Sequence, residues 1–209
     1  MIKLHHLNRS RSKRIIWLLE EIKQPYEVVS YQRNASNSLA PESLKEVHRL
    51  GKSPVVEIDG LVLPESGAIT EYLIERYAPD TLAPAKNSDD YAKYLYWIHF
   101  AESSAILPSL IKVYSHGHKV EHESLARYVD QEESNLLEHI EQELAGKTYL
   151  VSDKLTGADI MMIFAVELLS LSGKLTNYPY IAAYYQNIGQ LPGFQKAQQL
   201  EAQYDETVA

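Results

Sequence analysis

With 209 residues, 45% of them hydrophobic, the chain is long enough to bury one large core or two small ones. A formal net charge of -8, with no long run of Lys or Arg, leaves it without the basic footprint that nucleic acid requires, so no nucleic-acid partner is expected. The chain has no cysteine, which removes disulfides, thiolate metal sites and every mechanism in which the protein itself supplies a sulfur nucleophile.

The longest apolar stretch, Ile160 to Leu169, is interrupted by Glu167 and falls short of the roughly 18 to 20 residues that span a bilayer. The start, Met1-Ile-Lys-Leu-His-His-Leu7, lacks the charged beginning, apolar middle and small-residue cleavage site of a secretory signal. No membrane span and a cytoplasmic location are the expectation.

In chain order, residues 2 to 7 read as a strand and Asn8 to Ser12 as a polar turn. Lys13 to Lys23 reads as a helix, with Ile15, Leu18, Leu19 and Ile22 at helical spacing. Pro25 stops that helix and Tyr26 to Tyr31 suits a second strand. Pro41 is a favoured first helical residue and predicts a short helix ending near Val47 or His48, closed by Gly51. Val55 to Ile58, Asp59-Gly60 and Leu61 to Leu63 form the strongest hairpin signal, because Asp-Gly accommodates the positive φ angles of a tight type I′ turn. Ser66 then opens an amphipathic helix carrying Ile69, Tyr72, Leu73 and Tyr77, which ends near Ala78-Pro79.

This β-α-β-α-β-β-α order is complete by about residue 78, and the Pro-, Ala- and Ser-rich stretch that follows reads as a linker. The expected organisation is an α/β domain over residues 1–79, a linker over 80–88 and an all-helical domain over 89–209. In the second half Tyr91, Tyr94, Leu95 and Ile98 set one helical pattern, and Leu125, Tyr128, Leu136, Ile140 and Leu144 another. Ala158 to Leu169 is apolar nearly all round, as a helix enclosed by protein would be. Thr156-Gly-Ala-Asp159 before it has the form of a capping box flanked by Leu155 and Ile160, a feature of stability rather than catalysis. Pro179 to Tyr185 and Gly193 to Gln203 read as two closing helices.

Three short segments could carry chemistry. Ser10 and Ser12 lie where the first strand meets the first helix, where free amides and the helix dipole favour negative charge; a plain helix cap explains them as well. At Ser53-Pro54 a cis peptide is affordable, and it would turn the Ser53 backbone outward to pair with an extended peptide; a proline at a strand start is also ordinary. Pro64-Glu65-Ser66-Gly67 brings a carboxylate, a hydroxyl and free helix amides together, which suits the two charges of an amino acid, although a capped helix reads the same way. His5 and His6 are adjacent on a strand and point to opposite faces, and His116, His118 and His122 have no carboxylate or cysteine pattern beside them, so no metal site is expected.

Taken together, residues 7–21 (Leu-Asn-Arg-Ser-Arg-Ser-Lys-Arg-Ile-Ile-Trp-Leu-Leu-Glu-Glu), 50–56 (Leu-Gly-Lys-Ser-Pro-Val-Val), 63–69 (Leu-Pro-Glu-Ser-Gly-Ala-Ile) and 155–160 (Leu-Thr-Gly-Ala-Asp-Ile) resemble the cytosolic glutathione transferase superfamily in order and spacing along the whole chain, with the first block similar to bacterial and fungal members. The resemblance implies a thioredoxin-like N-terminal domain, an all-helical C-terminal domain, a homodimer and glutathione as co-substrate with no other cofactor. It further implies that Ser53 offers its backbone to the cysteinyl unit with Pro54 cis, that Lys52 approaches the glycyl carboxylate and that Glu65 and Ser66 hold the γ-glutamyl end. Ser10 aligns with the hydroxyl that serine-type members aim at the sulfur, with Asn8 and Ser12 as competitors. The second substrate is expected between Ser10 and the helix around Ile106, Leu107, Leu110 and Tyr114, residues that ordinary core packing explains equally well.

Two positions depart from common patterns: Ser53 stands where many members have Val or Ile, and Arg49 where many have Pro, which leaves open a contact from Arg49 to a glutathione carboxylate. The implied activity is to hold the glutathione thiol as a thiolate for attack on a small hydrophobic electrophile. A glutathione-dependent peroxidase and a non-catalytic binding module of the same fold are the alternatives.

Overall fold

The computed structural model describes residues 1–120 and 122–205. Strand β1 (Ile2–Leu7) lies at the centre of the sheet, with β2 (Tyr26–Tyr31) parallel on one side and β3 (Val55–Ile58) antiparallel on the other; β4 (Leu61–Pro64) completes the order β2-β1-β3-β4. A parallel pair needs a crossover, and α1 (Ser12–Ile22) supplies it. Ile15, Ile16, Trp17, Leu18, Leu19 and Ile22 of that helix are all buried. It stops at Lys23, whose left-handed backbone (φ 53°) turns its N–H onto the Leu19 carbonyl, ahead of Pro25.

The hairpin between β3 and β4 follows its sequence signal: Asp59 (φ 49°) and Gly60 (φ 83°) are both left-handed. The helix expected from Pro41 is shorter than predicted. Only α2 (Leu44–Val47) is α-helical, because the amides of Leu44 and Lys45 bond the carbonyls of Pro41 and Glu42, three residues back, and form tight turns rather than an α-helical first turn. Helix α3 (Ser66–Tyr77) covers the sheet next to α1 through Ile69, Thr70, Leu73 and Ile74.

The chain forms two compact units: Met1–Pro79 together with the segment from Gly189 onward, and Asp80–Ile188. The C-terminal helix α9 (Pro192–Tyr204) belongs to the first unit and lies on α1, with Phe194 edge-on to Trp17 at 5.1 Å between ring centroids. Gly193 permits this approach, since a Cβ there would sit 2.3 Å from Oε1 of Glu21. Sequence periodicity finds the helix but not its partner.

The second unit is helical: α4 (Asp89–Phe100), α5 (Leu107–Gly117), α6 (Glu123–Leu144), α7 (Gly157–Ser170) and α8 (Pro179–Gly189), the last ending one residue past the division between the units. Between α4 and α5 the backbone loosens into a π-helical turn, Ala101–Ala105. Pro108 lies just beyond it, and a proline at that point cannot donate to the carbonyl four residues back, which accounts for the widened turn. Helix α7 is the centre of this core, with ten of its fourteen residues buried.

Asp159, inside that core, is fully buried and accepts from the Thr156 amide at 2.9 Å, the Leu150 amide at 2.9 Å and the Tyr184 hydroxyl at 3.2 Å. The capping box read from the sequence is present, and its carboxylate extends further than a box requires by tying α8 and the loop before α7 to the helix start. Burial pushes the Asp159 carboxyl up to about 6, against the opposing effect of these hydrogen bonds. Among the described residues no helix is long and apolar enough to cross a membrane.

Candidate active site

The turn from β1 into α1 is the polar centre of the first unit. Asn8, Ser10 and Ser12 are all buried there. Asn8 is committed to structure: its amide nitrogen donates to Oδ1 of Asp205 at 2.9 Å, and its oxygen accepts the Arg33 amide at 2.9 Å. Arg9, with a left-handed backbone, donates through Nε to Oδ2 of Asp205 at 2.7 Å and through its amide to Oε1 of Glu201 at 2.6 Å. The turn is therefore braced by two carboxylates from α9 and the residue after it.

Ser10 and Ser12 form a hydroxyl pair. Their Oγ atoms are 2.8 Å apart, and Ser10 Oγ also accepts the Ser12 amide at 3.2 Å, taking up one of the unpaired donors at the start of α1. Ser12 is fully enclosed, with Oγ 2.7 Å from Nδ1 of His6 and 3.2 Å from the Leu7 carbonyl. Ser10 keeps 7% of its surface exposed. His6 is completely buried on β1, and burial lowers it to about 4 although Asp205 pulls the other way, so the ring is neutral at physiological pH.

Ser53 precedes the sheet ladder, which begins at Val55, and the Ser53-Pro54 peptide is cis. Its side chain is not idle. Ser53 Oγ donates to the His5 carbonyl at 2.9 Å and accepts the Leu7 amide at 3.0 Å, so this serine pins the cis-proline loop to β1. Gly51, left-handed at φ 57° and 2.8 Å from Lys45 at its would-be Cβ, lets the chain turn there; Lys52 and Arg49 are exposed.

Glu65 sits at the mouth of α3 with φ 70° and ψ 113°, a backbone that a non-glycine residue adopts at a cost of about 1–3 kcal/mol. Its side chain is exposed, and the adjacent Ser66 is buried. Arg14, fully buried on α1, donates to Ser66 Oγ. That contact occupies a lone pair of the Ser66 oxygen and leaves its hydroxyl proton able to donate outward.

The cis-proline loop and the start of α3 are thus both tied by side-chain hydrogen bonds to the β1–α1 corner that carries Ser10. Residues 1–75 match the family Glutathione S-transferase, N-terminal domain, and residues 99–192 match Glutathione S-transferase, C-terminal domain. The chain belongs to the glutathione S-transferase family.

Among its relatives, Glutathione S-transferase 3 of Schizosaccharomyces pombe is 33% identical over 79% of this chain and 73% of its own length. Glutathione S-transferase 1 of Saccharomyces cerevisiae is 32% identical over 80% of each. The crystal structure of a glutathione S-transferase from Actinobacillus pleuropneumoniae superimposes with a TM-score of 0.89 at 35% identity, covering 97% of this chain and 93% of that one. The four-stranded unit is the thioredoxin-like domain of the transferase fold, the helical unit carries its C-terminal domain, and glutathione is the family's co-substrate.

Four polar residues of this transferase site have no counterpart among the residues read from sequence as functional: the buried His6, Arg14 and Asp205, and Glu201, whose side chain is 16% exposed. His6 and Arg14 are enclosed in the interior of the unit, where a polar residue without a buried partner would be costly. Glu201 and Asp205 lie more than 190 positions from the turn they brace, and no local spacing links them to it. In the second unit Ile106 is buried, whereas Leu107 and Tyr114 on α5 are 50% and 57% exposed and Leu110 is half-buried. His118 stacks on Tyr114 and His122 bonds Ser124; among the described residues no group of three or more His, Asp or Glu side chains is placed to hold a metal.

His6 and Asp159 give the transferase two opposed pH dependences. Asp159, raised in the folded state, contributes stability present below the unfolded carboxyl pKa and lost as pH rises through about 6. His6, lowered in the folded state, contributes stability present above the unfolded imidazole pKa and lost as pH falls towards about 4. Between roughly pH 7 and 5 the two nearly cancel, leaving their summed contribution flat to within about 1 kcal/mol. Asp159→Asn is expected to expose the His6 slope, a fall of about 2 kcal/mol over the same interval relative to its own value at neutral pH, read by urea unfolding at each pH.

Proposed function

We propose that this chain binds glutathione on its thioredoxin-like domain and holds the thiol as a thiolate for attack on small hydrophobic electrophiles. The observation that carries the reading is the shared anchorage of the cis-proline loop and the α3 start to the turn bearing Ser10. The Ser53 backbone pairs with the cysteinyl unit as an added strand would, Lys52 meets the glycyl carboxylate, and Glu65 takes the γ-glutamyl ammonium while Ser66 and the first amides of α3 take its carboxylate. Ser10 is the hydroxyl nearest the sulfur, since Asn8 is spent on Asp205 and Arg33 and Ser12 is enclosed. The functional domains are residues 1–79 and 89–209 joined by 80–88, the assembly is a homodimer, and the compartment is cytoplasmic. Leu107, Leu110 and Tyr114, with Ile106 behind them in the core, supply apolar surface to the electrophile.

Glu65→Ala is expected to weaken glutathione binding by about 10- to 100-fold, the loss of one charge-assisted contact, with the fold intact; calorimetric titration of both proteins measures it. Parallel assays with a chloroaromatic and an organic hydroperoxide separate conjugation from peroxide reduction. Conjugation with the chloroaromatic is the expected result. Turnover of the hydroperoxide alone makes the protein a peroxidase, and glutathione binding without either reaction makes it a binding module.

A further inference from the structure

The hydroxyl pair at the site does not end at Ser12. A continuous file runs inward from Ser10 Oγ to Ser12 Oγ at 2.8 Å and to His6 Nδ1 at 2.7 Å. On the far side of the ring, Nε2 lies 3.2 Å from Oε2 of Glu201. That approach is oblique to the ring's N–H axis, as Nε2 makes no well-aligned hydrogen bond, but it still decides the tautomer: a lone pair on Nε2 would face a carboxylate oxygen, so the proton resides there and Nδ1 is an acceptor.

The direction of every bond in the file follows. Ser12 has one proton and gives it to Nδ1 at 2.7 Å in preference to the Leu7 carbonyl at 3.2 Å; with either acceptor the Ser10 proton must point at Ser12, because two hydroxyl oxygens at 2.8 Å share one hydrogen. In the resting protein Ser10 therefore faces outward with a lone pair. It can accept from a thiol, but it cannot donate to a thiolate until the file reverses.

We propose that His6 is a positioning residue of the thiol site, and that when the thiolate forms at Ser10 the thiol proton is kept inside the protein, passed along Ser10 and Ser12 to Nδ1 of His6. The S–H bond breaks as its proton joins Ser10 Oγ; the Ser10 proton moves to Ser12 Oγ, and the Ser12 proton to Nδ1. Three bonds to hydrogen break and three form, and no proton is lost. The thiolate then accepts from Ser10, and the imidazolium donates to Ser12 through Nδ1 and faces Glu201 through Nε2. The order hydroxyl, imidazole, carboxylate is the one in which an imidazole takes up a hydroxyl's proton as charge develops, here with the carboxylate acting through its charge at 3.2 Å and not through an aligned hydrogen bond.

The groups facing His6 fit the role. Glu201 is at 3.2 Å and Asp205 raises the ring's proton affinity; the Tyr204 ring packs at 5.7 Å, and the charge of Asp205 is shared with Arg9 at 2.7 Å. Burial disfavours the imidazolium when it stands alone, so His6 is a vacant acceptor at rest. It charges only when the thiolate appears at the other end of the file and keeps the site neutral as a whole.

The inference rests on Ser10 being the hydroxyl at the sulfur, and proton counting separates the two. Glutathione is titrated into weakly buffered protein at neutral pH with a pH indicator, while thiolate absorbance is followed in the same cuvette. The wild type is expected to form thiolate with far less than one proton released for each thiolate formed. Ser12→Ala, which cuts the file with a small change inside the fold, is expected to release close to one proton per thiolate. In the wild type, nitrogen NMR of the histidine rings is expected to show Nδ1 of His6 gaining a proton when glutathione is added. Release of one proton per thiolate by the wild type overturns the retention of the proton but leaves the glutathione site standing; binding without thiolate, or no binding, overturns both.

Discussion

Asp159→Ala is expected to lower the unfolding free energy by about 3–5 kcal/mol, among the largest effects available to a single side chain in this protein. The carboxylate is fully buried and satisfies the Leu150 amide, the Thr156 amide and the Tyr184 hydroxyl at once. Deleting it leaves those buried donors unpaired, each at about 1–3 kcal/mol, and among them the Thr156 amide is the half of the capping box that Asp159 supplies at the start of α7. Relief of the buried charge returns part of this, because the carboxyl is held near 6 and its ionisation at neutral pH itself costs about 3 kcal/mol. The sum remains strongly unfavourable because the alanine offers no acceptor to any of the three. Asp159→Asn keeps one oxygen but turns an NH2 group towards a donor, and should fall between the two; urea unfolding of all three proteins gives the order.

The second large effect is at Ser10. A thiol with a free pKa near 8.5 is a minor thiolate at neutral pH, and lowering it by about two units takes roughly 2.7 kcal/mol of preferential stabilisation. Removal of the hydroxyl in Ser10→Ala leaves the helix start and its amides to stabilise the thiolate. The kcat/KM for a chloroaromatic at neutral pH is expected to fall about 30- to 100-fold, with glutathione affinity changed far less, since the tripeptide is held elsewhere. The decisive feature is the pH profile: the deficit should shrink as pH rises and vanish above the thiol's own pKa, where ionisation no longer depends on the enzyme.

How far these residues were legible in the sequence differs with the range of the interactions involved. The strands, α1, the Asp-Gly hairpin and the Thr156–Asp159 box are encoded by neighbours, so period, turn chemistry and cap pattern locate them. The family was legible too, because four weak motifs occur in a fixed order. The bracing of the site was not. His6 reads as one of two adjacent histidines in a strand, and Arg14 as the cation after Lys13 at the start of a helix; their meaning depends on Ser12, Ser66 and Glu201, which reach them only in three dimensions. The turn at Pro41 is a different case, a proline that favours a helix start in a segment where bonds three residues apart hold tight turns instead.

The most direct test of the glutathione site is an amide NMR titration of the nitrogen-labelled protein with glutathione. Saturating shifts at Ser10, Lys52, Ser53, Ser66 and Gly67 are the expected result, with the same shifts displaced to higher glutathione concentration in Glu65→Ala. The second unit offers a competing locus, a cavity of about 850 Å³ lined in part by Lys112, His116, Lys119 and Val129. Shifts confined to that cavity, or none at either place, would contradict a glutathione site built on the β1–α1 turn.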